Sequence, residues 1–202
     1  MQPKDSRRME RKKEASRRKI ITAAVSLFNR HGLEAVTMEQ IAEAADVARG
    51  TLYNYFPSRE AIVNAYLEQT FQDRSQDRIA QLRLLPDTHS RLVYIFTVLV
   101  EGVQRQQEIF EAFMVYRMKQ VTSFRQSTGQ EQTGLSLLIH EIITLGQDSH
   151  ELRSDLDEGM LAGLFEYALI AAIKPLYLQP ALYDQFSSIQ HSVNLFLNGA
   201  GR

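Results

Sequence analysis

The sequence predicts an all-α protein, with a small N-terminal unit of three helices followed by a larger helical C-terminal domain. Three observations predict it. Proline stands at only five positions (Pro3, Pro57, Pro86, Pro175, Pro180), so it punctuates the chain rather than dominating it. Between these breaks apolar residues recur three and four apart, the period of a helix buried on one side. One segment alone competes as a strand, residues 92–100 (LVYIFTVLV), which is apolar all round and rich in β-branched residues. Its length with its flanks favours a central buried helix.

The elements follow in order. Ile20, Ile21, Ala24, Leu27 and Phe28 form one face of a first helix. It ends at His31-Gly32, where glycine suits the left-handed residue past a helix end. Thr37-Met38-Glu39-Gln40 is a capping box, in which the threonine hydroxyl accepts from the Gln40 N–H and the glutamine reaches back. Val36 and Ile41 hold the flanking staple positions. Met38, Ile41, Ala42 and Ala45 then make a helix of about two turns. The chain turns at Asp46-Val47, and residues 48–56 form a second short helix stopped by Pro57. Ser58 caps a long helix, expected through Ile62, Tyr66, Gln69 and Ile79 to about Leu85, with Glu60 placed well for the helix dipole. Beyond Pro86, helices are expected near 88–105, 106–120, 130–147, 156–178 and 181–198, with loops at 122–134 and 147–157.

Composition narrows the function. The chain has no cysteine, which removes disulfides, thiolate zinc sites, Fe–S clusters and cysteine nucleophiles together. Hydrophobic residues make up 44% and charged residues 23%, enough for a packed core. The longest apolar stretches, such as Leu92–Val100, are about half the length that crosses a bilayer. No apolar segment follows the basic N-terminus, so no secretory signal is read and a cytoplasmic protein without a membrane partner is expected. The five histidines (31, 89, 140, 150, 191) never stand three or four apart, so no helix offers a histidine pair to a metal. His140-Glu141 lacks the second histidine of a zincin. No phosphate-binding glycine loop or Gly-x-Ser-x-Gly elbow occurs. The expectation is a non-enzyme with no cofactor and no metal.

Charge is divided unevenly. Lys and Arg number 23 against 24 Asp and Glu, a net charge of −1. Residues 1–60 carry twelve against eight, and residues 1–19 nine against three. A basic head on an acidic body points to an anionic partner at one end. The chain is therefore divided into a basic flexible arm (1–14), a helix-turn-helix domain (15–60) and a helical domain (61–202).

The helix-turn-helix lies at 37–59. Ile41, Ala42 and Ala45 can pack on Val47, Leu52 and Phe56. Leu52 and Phe56, four apart, share an inward face. Counting 100° per residue from Leu52 sends Gly50 and Asn54 outward and sets Thr51 and Tyr53 on the flanks. Such a small, polar face suits a major groove. Gly50 permits close approach, Asn54 can bond an adenine edge, Thr51 and Tyr53 offer hydroxyls, and Arg49 reaches guanine or phosphate. Phe56 reads as a core aromatic. Tyr55 stands open between core and contact.

The stretch IITAAVSLFNRHGLEAVTMEQIAEAADVARGTLYNYFPSREAIVNAYL resembles the N-terminal domain of TetR-family transcriptional regulators. The resemblance covers about residues 15–75, and its most specific part is TLYNYFPSRE. It implies that Thr37 and Arg59 hold phosphates beside the groove, Arg59 standing where lysine is commoner. It implies that Arg49, Gly50, Thr51, Tyr53, Asn54 and Tyr55 form the recognition surface on double-stranded operator DNA. The arm Arg7–Lys19 would lie near the backbone or minor groove. Two positions depart from the pattern: Asp46 replaces the usual glycine and Ala48 the usual serine cap. Asp tolerates the left-handed conformation, and losing the cap costs about 1 kcal/mol.

For the C-terminal domain the resemblance implies a small-molecule effector and a homodimer. Tyr94, Phe96, Phe110, Phe113, Met114, Tyr116, Phe165 and Tyr167 concentrate large side chains in the middle helices and are expected to line an effector pocket, with Glu101, Arg105, Glu111 and His140 as polar anchors. Each aromatic also reads as ordinary core. Gly159, Gly163, Ala171, Leu195 and Phe196 are expected at a four-helix dimer interface, where small residues let helices approach. Two heads about one DNA turn apart read a palindrome, which one short helix alone cannot specify. The expected mechanism is repression relieved when an effector changes the packing against the long helix 58–85 and so the spacing of the heads. An activator of the same fold, or a sensor that binds no DNA, are the alternatives.

Overall fold

The computed structural model describes residues 3–121 and 134–200. These hold ten α-helices, one 3-10 turn and no strand. The helices are α1 (Pro3–His31), α2 (Met38–Ala44), α3 (Arg49–Tyr55), α4 (Arg59–Asp73), α5 (Ser75–Leu84), α6 (Thr88–Arg105), α7 (Gln107–Val121), α8 (Gly134–Asp148), α9 (Glu158–Leu178) and α10 (Gln185–Ala200). A 3-10 turn at Pro180–Leu182 precedes α10, where the sequence suggests one helix from 181. Of the loop expected at 122–134, residues 122–133 lie outside the described residues, and Gly134 opens α8. The chain divides into two units: Met1–Leu67 with Glu111–Arg117, and Glu68–Phe110 with Met118–Arg202. They part inside α4, past the 60/61 boundary read from the sequence.

In the first unit, α1 is helical from Pro3, where a flexible arm is expected over 1–14. Residues 7–19 are mostly Arg, Lys, Glu, Met and Ala, all strong helix formers, and Pro3 sits where a missing N–H costs nothing. Glu14 and Arg18 pair at 2.9 Å one turn apart, an exposed contact worth a few tenths of a kcal/mol at most. Burial begins at Ile20 and continues through Ile21, Ala24 and Phe28, while Leu27 is half-buried. Gly32 takes φ 80°, and its N–H closes on the Phe28 carbonyl at 2.9 Å, so the helix stops there.

In the second unit, the long helix expected over 58–85 is two helices. The break falls at Arg74 (φ −107°, ψ 3°). Two local facts explain it. The Ser75 hydroxyl donates to the Gln72 carbonyl at 2.8 Å, competing with the helix ladder. The start of α8 presses on the last turn of α4, so that a Cβ on Gly134 would stand 2.2 Å from the Gln72 nitrogen.

Helix α6 is the centre of this unit and packs on α8, α9 and α10. Asp87 caps it by accepting from the Ser90 N–H at 2.7 Å, a bond that holds the Asp87 carboxyl below the usual carboxylate range. Its burial is one-sided: Leu92, Ile95, Phe96, Leu99, Val100 and Val103 face the core, whereas Val93, Tyr94 and Val98 are half-exposed. Phe96 meets Phe165 of α9 edge-to-face, centroids 5.1 Å apart.

Arg91 is buried and donates to the carbonyls of Leu82 (3.2 Å) and Leu85 (3.0 Å). Glu151, 3.9 Å from that guanidinium, accepts from the Thr88 N–H at 2.6 Å and pins the 147–157 loop. Helix α9 is long and apolar enough to cross a membrane by length and composition, with 39% of its most apolar window buried. The sequence shows no such stretch as an unbroken run because Glu166 and Lys174 interrupt it.

Candidate nucleic-acid interface

The first unit positions a short helix with one face sunk and one face bare. The capping box forms as expected: Gln40 N–H donates to Thr37 Oγ1 at 3.2 Å, and Thr37 N–H donates to Gln40 Oε1 at 2.8 Å. Val36 and Ile41 are buried beside it. Asp46 takes φ 49°, the left-handed turn that glycine would enter more cheaply. Lys19 reaches across from α1 to the Asp46 carboxylate at 3.2 Å and steadies that turn. Ala48 begins α3 without a side-chain cap.

Leu52 and Phe56 are buried, as their spacing requires. Opposite them Arg49, Gly50, Tyr53 and Asn54 are exposed, while Thr51 and Tyr55 are half-exposed. Tyr53 keeps 47% of its surface in solvent, far more than a core aromatic retains. Nothing lies within 4 Å of a Cβ built on Gly50, so no neighbour on this unit requires a glycine there. A bare backbone at this point allows an external surface to come close. Arg49 is exposed and 3.8 Å from Glu39, a pair weak enough to exchange for another anion.

Arg59 is placed differently from the expectation. Its Nη1 donates to the carbonyls of Leu33 (2.7 Å), Glu34 (3.0 Å) and Val36 (3.1 Å), and its Nη2 to Glu34 Oε2 (3.2 Å). The guanidinium is thus committed to the loop between α1 and α2, with 23% of the side chain exposed. A lysine presents one point charge, whereas the planar fork of arginine answers several carbonyls at once. The carbonyls of this loop draw Arg59 inward. Thr37 stays at the surface, at the end of the loop that Arg59 secures.

Sequence reading misses Arg17 and Lys19 as parts of this arrangement. The Arg17 guanidinium lies 5.6 Å above the Phe56 ring, at the end of α3. No spacing rule links residues so far apart in the chain.

The residues proposed for the C-terminal domain fall in both units. Phe96, Phe110 and Phe165 are buried in the second unit. Phe113, Met114 and Tyr116 belong to the stretch of α7 grouped with the first unit, Phe113 being buried and the other two half-exposed. His140 is exposed, with Nδ1 2.7 Å from Glu158 Oε1, and Tyr167 is half in solvent. The helical phase explains Tyr167, which shares one face of α9 with Met160, Leu164 and Ala171. Among the dimer candidates Gly159, Ala171 and Leu195 are exposed and Gly163 is half-exposed, but Phe196 is buried. Phe196 points inward because it continues the α10 stripe of Ile189 and Val193.

Two short helices joined by a tight turn, with a bare polar face on the second, define a helix-turn-helix protein. Residues 20–66 match the sequence profile of bacterial regulatory proteins, tetR family. The N-terminal domain, over residues 20–66, is therefore of the tetR type. The HTH-type transcriptional repressor KstR of Mycolicibacterium smegmatis is 37% identical over 98 residues, covering 48% of this chain and 47% of the relative. The chain thus spans about half the length of the KstR relatives it matches. The uncharacterized HTH-type transcriptional regulator YvkB of Bacillus subtilis is 26% identical over 90% of this chain and 95% of its own length. The solved structure of the Thermus thermophilus repressor FadR, in complex with lauroyl-CoA, superposes with a TM-score of 0.70 at 25% identity, covering 91% of this chain and 94% of that one.

Proposed function

We propose that this protein is a cytoplasmic, homodimeric transcriptional regulator that grips a palindromic operator with α3 and represses until a small-molecule effector releases it. The observation that carries the reading is the two-faced α3: Leu52 sunk in the core, with Arg49, Gly50, Tyr53 and Asn54 bare on the other side. That face supplies a cation, an amide and a hydroxyl to a groove while its backbone can approach closely. Repression is preferred to activation because two of the relatives, KstR and FadR, bear that name.

The homodimer rests on an uncovered apolar stripe. Met160, Leu164, Tyr167 and Leu178 on one face of α9 are all exposed, as is Leu195 on α10. Apolar surface on this scale marks an interface, and a second copy offers the same stripe in return. Nothing lies within 4 Å of a Cβ on Gly163, so the backbone there is open to a neighbouring helix. The effector is assigned to the second unit, by likeness to the acyl-CoA complex of the Thermus protein. Helix α4 carries residues of both units and is the segment through which a change of packing reaches the head. A coupling of about 1–3 kcal/mol suffices to change operator affinity from severalfold to a hundredfold.

Footprinting of genomic fragments captured by the purified protein tests the reading. Protected palindromes are the expected outcome. Protection of single half-sites would reject the dimer, and no protection with or without cell extract metabolites would reject operator binding.

Two substitutions sharpen it. Tyr53→Ala is expected to weaken operator binding by about 1–2 kcal/mol without lowering Tm. Gly50→Ala is expected to leave Tm unchanged or higher, since helix propensity favours alanine, yet to weaken binding because a methyl group then stands at the groove. Unchanged affinity in both would remove α3 from the interface. Deleting residues 2–14 is expected to flatten the dependence of affinity on salt, because fewer condensed cations are released from the DNA. An unchanged slope would make the basic end of α1 a bystander.

A further inference from the structure

Four acidic side chains of the first unit sit beside cations. Glu14 pairs with Arg18 (2.9 Å), Asp46 with Lys19 (3.2 Å) and Glu34 with Arg59 (3.2 Å). None of these cations belongs to the bare face of α3. Glu39 is the exception. Its Oε1 lies 3.8 Å from Nη1 of Arg49, the first residue of α3, and the two side chains are 42% and 71% exposed.

In the first turn of α2 this negative charge suits the helix dipole. Beside a surface offered to DNA it also repels phosphates. At 3.8 Å the pair is too long for a hydrogen bond, so it orients Arg49 by charge without occupying its N–H donors. The sign of that charge then chooses between two targets. A phosphate must displace Glu39 to take the guanidinium. A guanine edge need not, because O6 and N7 are neutral acceptors and leave the carboxylate in place.

The pair also matches one base pair as a unit. Across the major groove G·C presents two acceptors on guanine, N7 and O6, and then the N4 amino donor on cytosine. Arg49 supplies donors, and Glu39 beside it supplies a carboxylate that only accepts. A·T presents an acceptor, a donor and an acceptor, so the adenine amino group would meet Arg49 and the thymine O4 would meet Glu39.

We propose that Glu39 is a specificity-determining residue: with Arg49 it reads one G·C pair in each half-site, holding the arginine to guanine and accepting from the cytosine amino group. This deepens the operator reading above and rests on it.

The full-length wild type and each variant select duplexes from a randomised library at fixed salt. Kd is then measured for the wild-type consensus and for versions with each base pair replaced in both half-sites. Wild type is expected to select a G·C pair whose replacement by A·T weakens binding at least about tenfold. Arg49→Ala is expected to lose the preference at that same position, which identifies it. Glu39→Gln is expected to remove most of the penalty there while the other positions keep theirs, because an amide both donates and accepts. It should also bind unrelated duplex more tightly, one repelling charge having gone. Glu39→Asp keeps the charge that suits the helix dipole but ends one methylene short of Arg49. It is expected to hold the wild-type Tm and still lose the preference.

Four outcomes overturn the proposal. A G·C penalty that survives intact in Glu39→Gln would leave the operator reading standing and return Glu39 to the helix dipole. A wild-type consensus with no such G·C position would remove the base contact. An equal loss of affinity on every duplex, with a lower Tm in both Glu39 variants, would make Glu39 structural. Selection of no sequence by wild type would reject operator recognition itself, and this pair with it.

Discussion

Gly134→Ala is expected to lower stability by about 3 kcal/mol or more, read as a fall in Tm and in the denaturant midpoint. The added Cβ would stand 2.2 Å from the Gln72 nitrogen, 2.4 Å from the Phe71 carbonyl carbon and 2.7 Å from the Gln72 Cα. All three are backbone atoms of α4, so no side chain can swing aside. Helix α8 must retreat by roughly 1 Å to regain ordinary contact distance, and its neighbours lose packing as it does. Gly199→Ala is the control. Nothing lies within 4 Å of a Cβ there, and alanine is the better helix former, so its Tm should hold or rise. A Gly134→Ala protein with wild-type Tm would show that α8 is not seated against the end of α4.

Arg59→Ala is expected to cost about 3 kcal/mol in the protein without DNA. Three loop carbonyls lose one charged donor, and Glu34 loses its partner. Operator affinity should fall as well, because Thr37 ends the loop that Arg59 secures. Arg59→Lys should recover less than half of the lost stability, since one ammonium group cannot reproduce the fork. A phosphate contact would behave otherwise. An alanine variant with unchanged Tm, a weaker operator complex and a salt slope reduced by about one would return Arg59 to the DNA backbone.

Most of the head was legible because its signals are local. The Thr37–Gln40 box, the glycine at 32, the left-handed Asp46 and the pairing of Leu52 with Phe56 each depend on residues within four positions of one another. Helical phase alone separated exposed Tyr53 from buried Phe56. The side-chain destination of Arg59 was not legible. It is decided by carbonyls 23–26 residues away.

The second unit was less legible for the same reason. Phe96, Phe165 and Tyr167 look alike as large apolar residues on helices. Only packing buries the first two against each other and leaves the third beside Met160 and Leu164 in solvent. The break at Arg74 was equally hidden, since residues 59–84 carry no proline or glycine.

Taken alone, the order of residues determined the all-α class, the caps and the two faces of α3, because helix period and capping are short-range chemistry. Tertiary structure decided where α4 ends, which aromatics form core, and that Arg59 turns inward to the loop between α1 and α2. Those outcomes depend on which distant groups arrive to satisfy or displace a side chain, which is a property of the fold, not of any short stretch of chain.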